Sequence, residues 1–449
     1  MSIFKAYDIR GTVPDQLDAD TAYRVGRAAA RHLGANQLVI GRDARSHSPA
    51  LAESLVRGVR DEGTAVIDLG LAATPMLYYA VDHLRADGGI MLTASHNPAE
   101  YNGFKVCREH AIPVGGETGL QQIEALAATI ASDRVAGTPG THTSVDVAEG
   151  YVNHALTVGG ACAETRVAID CGNGMAAVAL EPLLERLPLE VERLYFEPDG
   201  TFPNHPADPL EAENLADVRA AVARTGASFG VAFYGDADRA VFVDEHGDIV
   251  PSDLMTGVLA RSQLKRHPGG TVLYDLRSSW ATPEEIEAAG GVASMCRVGH
   301  SFVKADMRRE DAIFAGELSG HFYFRFSPTL VADDGIAAFV ALLDVLAGAE
   351  KPLSEWVAPL RRYHASGEIS RDAGSRERMT AILERVAAAH RGASEISWMD
   401  GLLVRYDDWW FNLRPSNTEP LLRINLEART LERMERERDA LVAQMEAAG

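Results

Sequence analysis

Short apolar runs of strand length alternate with longer stretches of helical periodicity through most of the chain, the rhythm of layered α/β structure. In the first stretch, residues 18–33 predict an amphipathic helix and 37–40 a strand; 89–93 predict a strand ending in a polar loop, and 120–130 a helix. A second unit starts near Thr143. Its strand at 167–170 runs into Gly172-Asn173-Gly174 and a helical stretch ending at Leu184. Helix 212–224, strand 229–233, a polar loop and strand 240–244 complete it. A third unit repeats the theme with helix 254–263, strand 271–276 and helical stretches at 283–289 and 334–346. The last unit has a different order: strand 367–370, helix 376–390, strands near Leu402 and Leu421, and a terminal helix at 431–445. The expected division is three related α/β units, 1–142, 143–245 and 246–358, followed by an α+β unit at 359–449.

Composition narrows what such a chain does. Its 449 residues suffice for several domains, and 46% hydrophobic with 24% charged residues is ordinary for a globular protein. With 43 Lys+Arg against 64 Asp+Glu the formal charge is −21, which disfavours nucleic acid and anionic membranes as partners. A small anionic substrate would need a local basic cleft. Cys107, Cys162, Cys171 and Cys296 form no C-x-x-C pair, so they read as buried apolar residues of a reducing, cytoplasmic protein. The N-terminal residues carry no signal-peptide core, and the apolar stretch 335–349 is broken by Asp344 and too short to span a bilayer.

Five segments hold more chemistry than a core requires. In Thr93-Ala94-Ser95-His96-Asn97-Pro98, a serine leaves a strand beside a histidine, as a nucleophile or as a turn residue. Asp236-Ala237-Asp238-Arg239 places alternate carboxylates on a short loop, where they could share Mg²⁺ or simply be solvated. Gly316-Glu317-Leu318-Ser319-Gly320-His321 offers three hydroxyl-binding side chains between glycines, or an ordinary glycine turn. Arg414-Pro415-Ser416-Asn417-Thr418 suits a phosphate nest or a capped turn. Lys5, Tyr7 and Arg10 form a basic group that could equally be solvated.

Together these segments resemble the α-D-phosphohexomutases, in the phosphomannomutase/phosphoglucomutase branch. TASHNP with EYNGFK, GDADR, GELSGH and RPSNTEP occur in the family's order, with FKAYDIRG, GRDARSHSP, DCGNG and VGHSFVK as lesser matches. The resemblance implies three related α/β domains and a C-terminal lid around a central cleft. By its likeness, Ser95 carries a phosphoryl group and, with Asp236 and Asp238, binds Mg²⁺. Glu317 and Ser319 take sugar hydroxyls. Arg414, Ser416, Asn417 and Thr418 hold the non-reacting phosphate. Arg10, Lys105 and His321 lie near the transferred proton and phosphate, while Tyr7, Arg239, Arg277, His300 and Lys304 line the cleft.

The implied reaction interconverts hexose 1-phosphate and 6-phosphate, of mannose or glucose, through a phosphoserine and a 1,6-bisphosphate. Glucose or mannose 1,6-bisphosphate would serve as activator. His321 and Lys105 are the acid–base candidates. One position departs from the family's Asp-Gly-Asp-x-Asp-Arg loop: Tyr234 replaces the first carboxylate. A neutral phenol, with a pKa of about 10, is a poor Mg²⁺ ligand, so the expectation is a weakened metal site. Two alternatives stand beside this reading. One is phosphoglucosamine mutase, and the other is a phosphosugar-binding homologue of low activity.

Overall fold

The first expected helix shows how local sequence sets an element boundary. Asp18 caps it, its carboxylate accepting from Thr21 N–H at 2.8 Å, and the helix runs Ala19–Leu33 to a left-handed Gly34. In the computed structural model, residues 2–130, 137–348, 351–416 and 421–446 are described. They form four sheets.

Three of these sheets share one plan. In the first, strands Ala65–Leu71, Gln37–Arg42 and Gly88–Leu92 lie parallel, and Tyr101–Arg108 returns antiparallel to Gly88–Leu92. Leu189–Leu194, Thr165–Asp170, Phe229–Phe233 and the returning Ala240–Asp244 repeat that order in the second. Val292–Cys296, Thr271–Asp275, Phe314–Gly316 and the returning Phe322–Arg325 repeat it in the third. The first sheet ends at edge strand His142–Ser144 and the second at Ile249–Val250. The fourth sheet is antiparallel, built on Leu402–Arg405, Trp409–Pro415 and Leu421–Ala428 with helices Arg376–Ala389 and Leu431–Glu446. The fold is therefore three α/β units followed by an α+β unit, as the apolar pattern indicates.

Some elements carry no clear periodic signal. Helix Thr74–His83 is buried at every position from Thr74 to Val81, so it lacks the polar face that marks an amphipathic helix. The segment expected as one helix at 212–224 is a 3₁₀ turn, Ala212–Leu215, leading into helix Ala216–Thr225. Among the described residues no helix is long and apolar enough to cross a membrane.

The shared plan places the chemistry. In each α/β sheet the loop between the last parallel strand and its antiparallel return is one of the singled-out segments: 93–98, 234–239 and 317–321. Loops beyond the carboxyl ends of parallel strands are where open α/β sheets bind ligands. A single apolar core, including Met91, Phe229 and Phe314, runs through all three units and brings these loops together. The α+β unit has its own core around Phe411 and Ile424.

The loops approach closely enough to demand glycine at one point. A Cβ on Gly235 would stand 2.6 Å from the Ser95 carbonyl oxygen, a clash between two backbones rather than with a flexible side chain. Gly235→Ala should therefore force the 93–98 and 234–239 loops apart. Chemical denaturation should show a loss of about 1–3 kcal/mol, the usual scale of overpacking, with reduced activity. An unaltered midpoint and rate would show that the loops have room to part.

Candidate active site

Ser95 is buried in the left-handed backbone region at φ 50, and Ala237 opposite it has φ 63. Non-glycine residues hold such conformations only where their surroundings fix them, commonly at functional loops. Here the fixing group is Arg45. Its buried guanidinium, paired with Asp43, donates to the carbonyls of Ser95, Asn97, Pro98 and Tyr101 at 2.6–3.0 Å.

The Ser95 hydroxyl meets a charged cluster. It donates to Asp236 Oδ1 at 2.7 Å and accepts from Arg239 Nη2 at 2.8 Å. Lys105 Nζ lies 2.6 Å from both Asp236 Oδ2 and Asp238 Oδ2, and Thr74 donates to Asp236 Oδ2 at 2.7 Å. Burial alone would lower the Lys105 pKa, but Asp236 and Asp238 outweigh it and hold the lysine above its ordinary value. Burial likewise opposes ionisation of Asp238, yet Lys105 and His321 hold its carboxyl well below the usual range. Lys105 and Asp238 are thus charged and neutralise one another, the condition under which charges survive in an interior. Burial, then Arg239 and Arg10, push His96 far below the usual histidine value, and the neutral ring accepts from Arg239 Nη2 at 2.6 Å.

The serine oxygen and two carboxylates form a hard donor set that could hold Mg²⁺, with the Lys105 ammonium sharing the same carboxylates. Asp238, His321 and Asp333 form a further candidate metal group among the described residues, with one ligand atom each within 4.8 Å of one another. Asp333 there already pairs with Lys304 at 2.6 Å. Tyr234 makes its contacts elsewhere. Its ring lies 3.6 Å beneath the Arg239 guanidinium, and its hydroxyl donates to the Ser319 carbonyl at 3.2 Å. Burial raises its pKa further, so near neutral pH it offers no phenolate to a metal.

The loop at 317–321 joins this cluster through His321. Its Nε2 lies 3.6 Å from Asp238 Oδ2 and its Nδ1 2.9 Å from Ser319 Oγ. Buried Glu317 accepts from Gly299 N–H at 2.7 Å and from the Tyr323 hydroxyl. The His300 ring stacks on His321 with centroids 6.2 Å apart, and Tyr7 meets His300 edge-on at 5.7 Å. Burial, then Lys304, push the His300 pKa far below normal, so that ring is neutral. Arg10 bonds to Asn97 and Asp8, which holds it beside the serine loop.

A second basic group lies where the third and fourth units meet. Asp275 grips Arg277 through Nε at 3.1 Å and Nη2 at 2.8 Å. Arg277 Nη1 and Arg414 Nη2 both face Glu368, at 3.6 and 3.7 Å. Ser416 is buried beside Arg414, whereas Asn417 and Thr418 lie outside the described residues. Sequence reasoning missed Arg45, Asp333, Glu368 and Arg423. Of these only Arg45 carried a signal, inside the GRDARSHSP segment.

Comparison with known proteins matches the four units in order along most of the chain. Residues 1–134, 149–247 and 251–363 match alpha/beta/alpha domains I, II and III of phosphoglucomutase/phosphomannomutase, and 371–444 match its C-terminal domain. The chain is 40% identical over 433 residues to the phosphohexose mutases of Xanthomonas campestris pv. campestris (strain B100), covering 95% of each. It is 36% identical over 447 residues to the phosphomannomutase/phosphoglucomutase of Pseudomonas putida, covering 99% of this chain and 95% of that one. A crystal structure of a phosphoglucomutase/phosphomannomutase family protein from Burkholderia thailandensis superposes with a TM-score of 0.90 at 33% identity, covering 99% and 97% of the two chains. Four domains in order, a clustered serine and carboxylates, and relatives aligned nearly end to end place the chain in the phosphoglucomutase/phosphomannomutase family.

Proposed function

We propose that this phosphohexomutase interconverts the 1- and 6-phosphates of mannose and glucose through a phosphoryl group carried on Ser95. The observation that carries the reading is the Ser95 hydroxyl held between Asp236 and Arg239, with Lys105 bridging the carboxylates behind it. Phosphoryl transfer asks mainly for position and for charge to meet the moving oxygens. Arg239, already on the Ser95 oxygen, supplies such charge, with Lys105 behind the two carboxylates. The phosphoserine gives its group to the free hydroxyl of a hexose monophosphate. The resulting bisphosphate turns over, and its other phosphate returns to Ser95.

Roles follow from charge at Lys105 and from position elsewhere. Lys105 is held as an ammonium by two carboxylates, so it donates rather than accepts. His321, between Ser319 and Asp238, is the base that takes the hydroxyl proton. Glu317 and Ser319 read sugar hydroxyls, with Tyr7, His300 and Lys304 lining the cleft, and Arg10 stands by the serine loop. Arg277, Arg414 and Ser416, with Asn417 and Thr418, anchor the idle phosphate. Ser95, Asp236 and Asp238 would hold Mg²⁺, which when bound neutralises charge on the serine phosphate as a Lewis acid. Glucose or mannose 1,6-bisphosphate restores a lost phosphoserine. The names of the relatives carry mannose and glucose, and the phosphoglucosamine alternative gains no support from them.

The same reading keeps the division near residues 142, 245 and 358, supported by four sheets built from consecutive strands, with edge strands His142–Ser144 and Ile249–Val250 carrying the first two sheets a few residues past the first two limits. It also keeps a cytoplasmic setting, supported by four unbridged cysteines.

Two experiments test this function. Coupled assays of mannose 1-phosphate, glucose 1-phosphate and glucosamine 1-phosphate should show turnover of the first two, and Ser95→Ala should abolish it. Full activity in Ser95→Ala would sink the assignment. The second concerns Tyr234, whose phenol leaves the metal loop one carboxylate short. Tyr234→Asp should bind Mg²⁺ about tenfold more tightly by calorimetry, the scale of one added charge at a partly screened site. Its activity should then need less metal. Unchanged Mg²⁺ affinity would contradict a metal held at this loop.

A further inference from the structure

The phosphate end of the cleft carries a carboxylate with no part in the reaction just described. Glu368 follows Gly367, whose φ of 68 permits the turn between strands His364–Ala365 and Ile369–Asp372. Its Oε1 accepts from Arg423 Nη1 at 3.2 Å and its Oε2 from Asn425 Nδ2 at 3.4 Å. The same Oε2 lies 3.6 Å from Arg277 Nη1 and 3.7 Å from Arg414 Nη2. One carboxylate thus faces three guanidinia drawn from two units of the chain.

The guanidinia need an anion here. Arg277 and Arg414 are buried, and like charges gathered in a poorly hydrated crevice repel strongly. Burial and then Arg277 disfavour the charged form of Arg414, while Asp400 and Glu368 oppose them. The contacts differ in kind, however. Asp275 holds Arg277 by two hydrogen bonds of 3.1 and 2.8 Å. Glu368 reaches Arg277 and Arg414 only at ion-pair distance, through one shared oxygen, and its side chain is 29% exposed. Closed bidentate pairs hold a structure together; long, shared and accessible ones exchange.

We propose that Glu368 is a tethered stand-in for the substrate's phosphate. It steadies Arg277, Arg414 and Arg423 while the cleft is empty, and it yields Arg277 and Arg414 when the phosphate of a hexose monophosphate arrives. The inference rests on the reading that Arg414 anchors the idle phosphate. A phosphate monoester carries about 1.5 to 2 negative charges and three acceptor oxygens, against one charge and two oxygens for a carboxylate. Phosphate therefore wins, but against a competitor fixed at high local concentration. The consequence is weaker binding and faster release, which suits a bisphosphate that must let go of one end and present the other.

Isothermal titration of the full-length, unphosphorylated chain with inorganic phosphate tests this in wild type, Glu368→Gln, Glu368→Ala and Arg414→Lys. Both Glu368 variants should bind phosphate about tenfold more tightly, the effect of removing one screened like charge. In steady-state assays Glu368→Gln should lower KM for the 1- and 6-phosphates together, and kcat should fall as release becomes limiting. Arg414→Lys should bind phosphate less tightly, because lysine cannot copy a bidentate guanidinium. If Arg414→Lys weakens phosphate while either Glu368 variant fails to tighten it, Glu368 is a fixed brace and the inference alone fails. If Arg414→Lys leaves phosphate binding unchanged, the anchor reading fails and takes the inference with it.

Discussion

Two carboxylates buried beneath a serine set the terms for the rest of this molecule. Asp236 and Asp238 have no solvent to stabilise them, so cationic and hydrogen-bonding side chains must reach them through the protein. Lys105 comes from the first unit, Arg239 from the second and His321 from the third. The cluster is complete only when all three units pack, and one apolar core runs through all three. Burial of charge thus couples the assembly of the fold to the assembly of the site. The same cations then face whatever negative charge arrives on Ser95.

Tyr234 shows how this balance tolerates change. A third carboxylate at its position would add negative charge to a loop whose cations are already engaged. The phenol instead lies under Arg239, a favourable contact of a cation with an aromatic face, and ties the 234–239 loop to the 317–321 loop through the Ser319 carbonyl. The ring thus holds the guanidinium that also reaches Ser95.

The sequence made the loops legible because each is a contiguous run: 93–98, 236–239, 316–321 and 414–418. Its apolar periodicity also gave the α/β then α+β order. It could not reveal which side chains meet across the cleft. Lys105 and Asp236 are 131 residues apart, and Arg239 and Ser95 are 144 apart. Nothing local marks such pairs. Helix Thr74–His83 was illegible because burial on all sides erases its period. Glu368 and Asp333 were invisible for another reason: a carboxylate at a strand edge looks solvated until the arginine or lysine facing it is known. The equivalent position of the three functional loops in three sheets is likewise topological, and no short repeat in the chain announces it.

The central claim is that Ser95 exchanges phosphoryl groups with the sugar, so the phosphate that leaves on a product is not the one that its substrate brought. Following labelled phosphate decides it most directly. Hexose 1-phosphate labelled in its phosphate is given to the unlabelled phosphoenzyme for a single turnover, and protein and product are separated. The account predicts label on the peptide containing Ser95 and unlabelled 6-phosphate in the first product. Label retained entirely in the product, with none on Ser95, would contradict it.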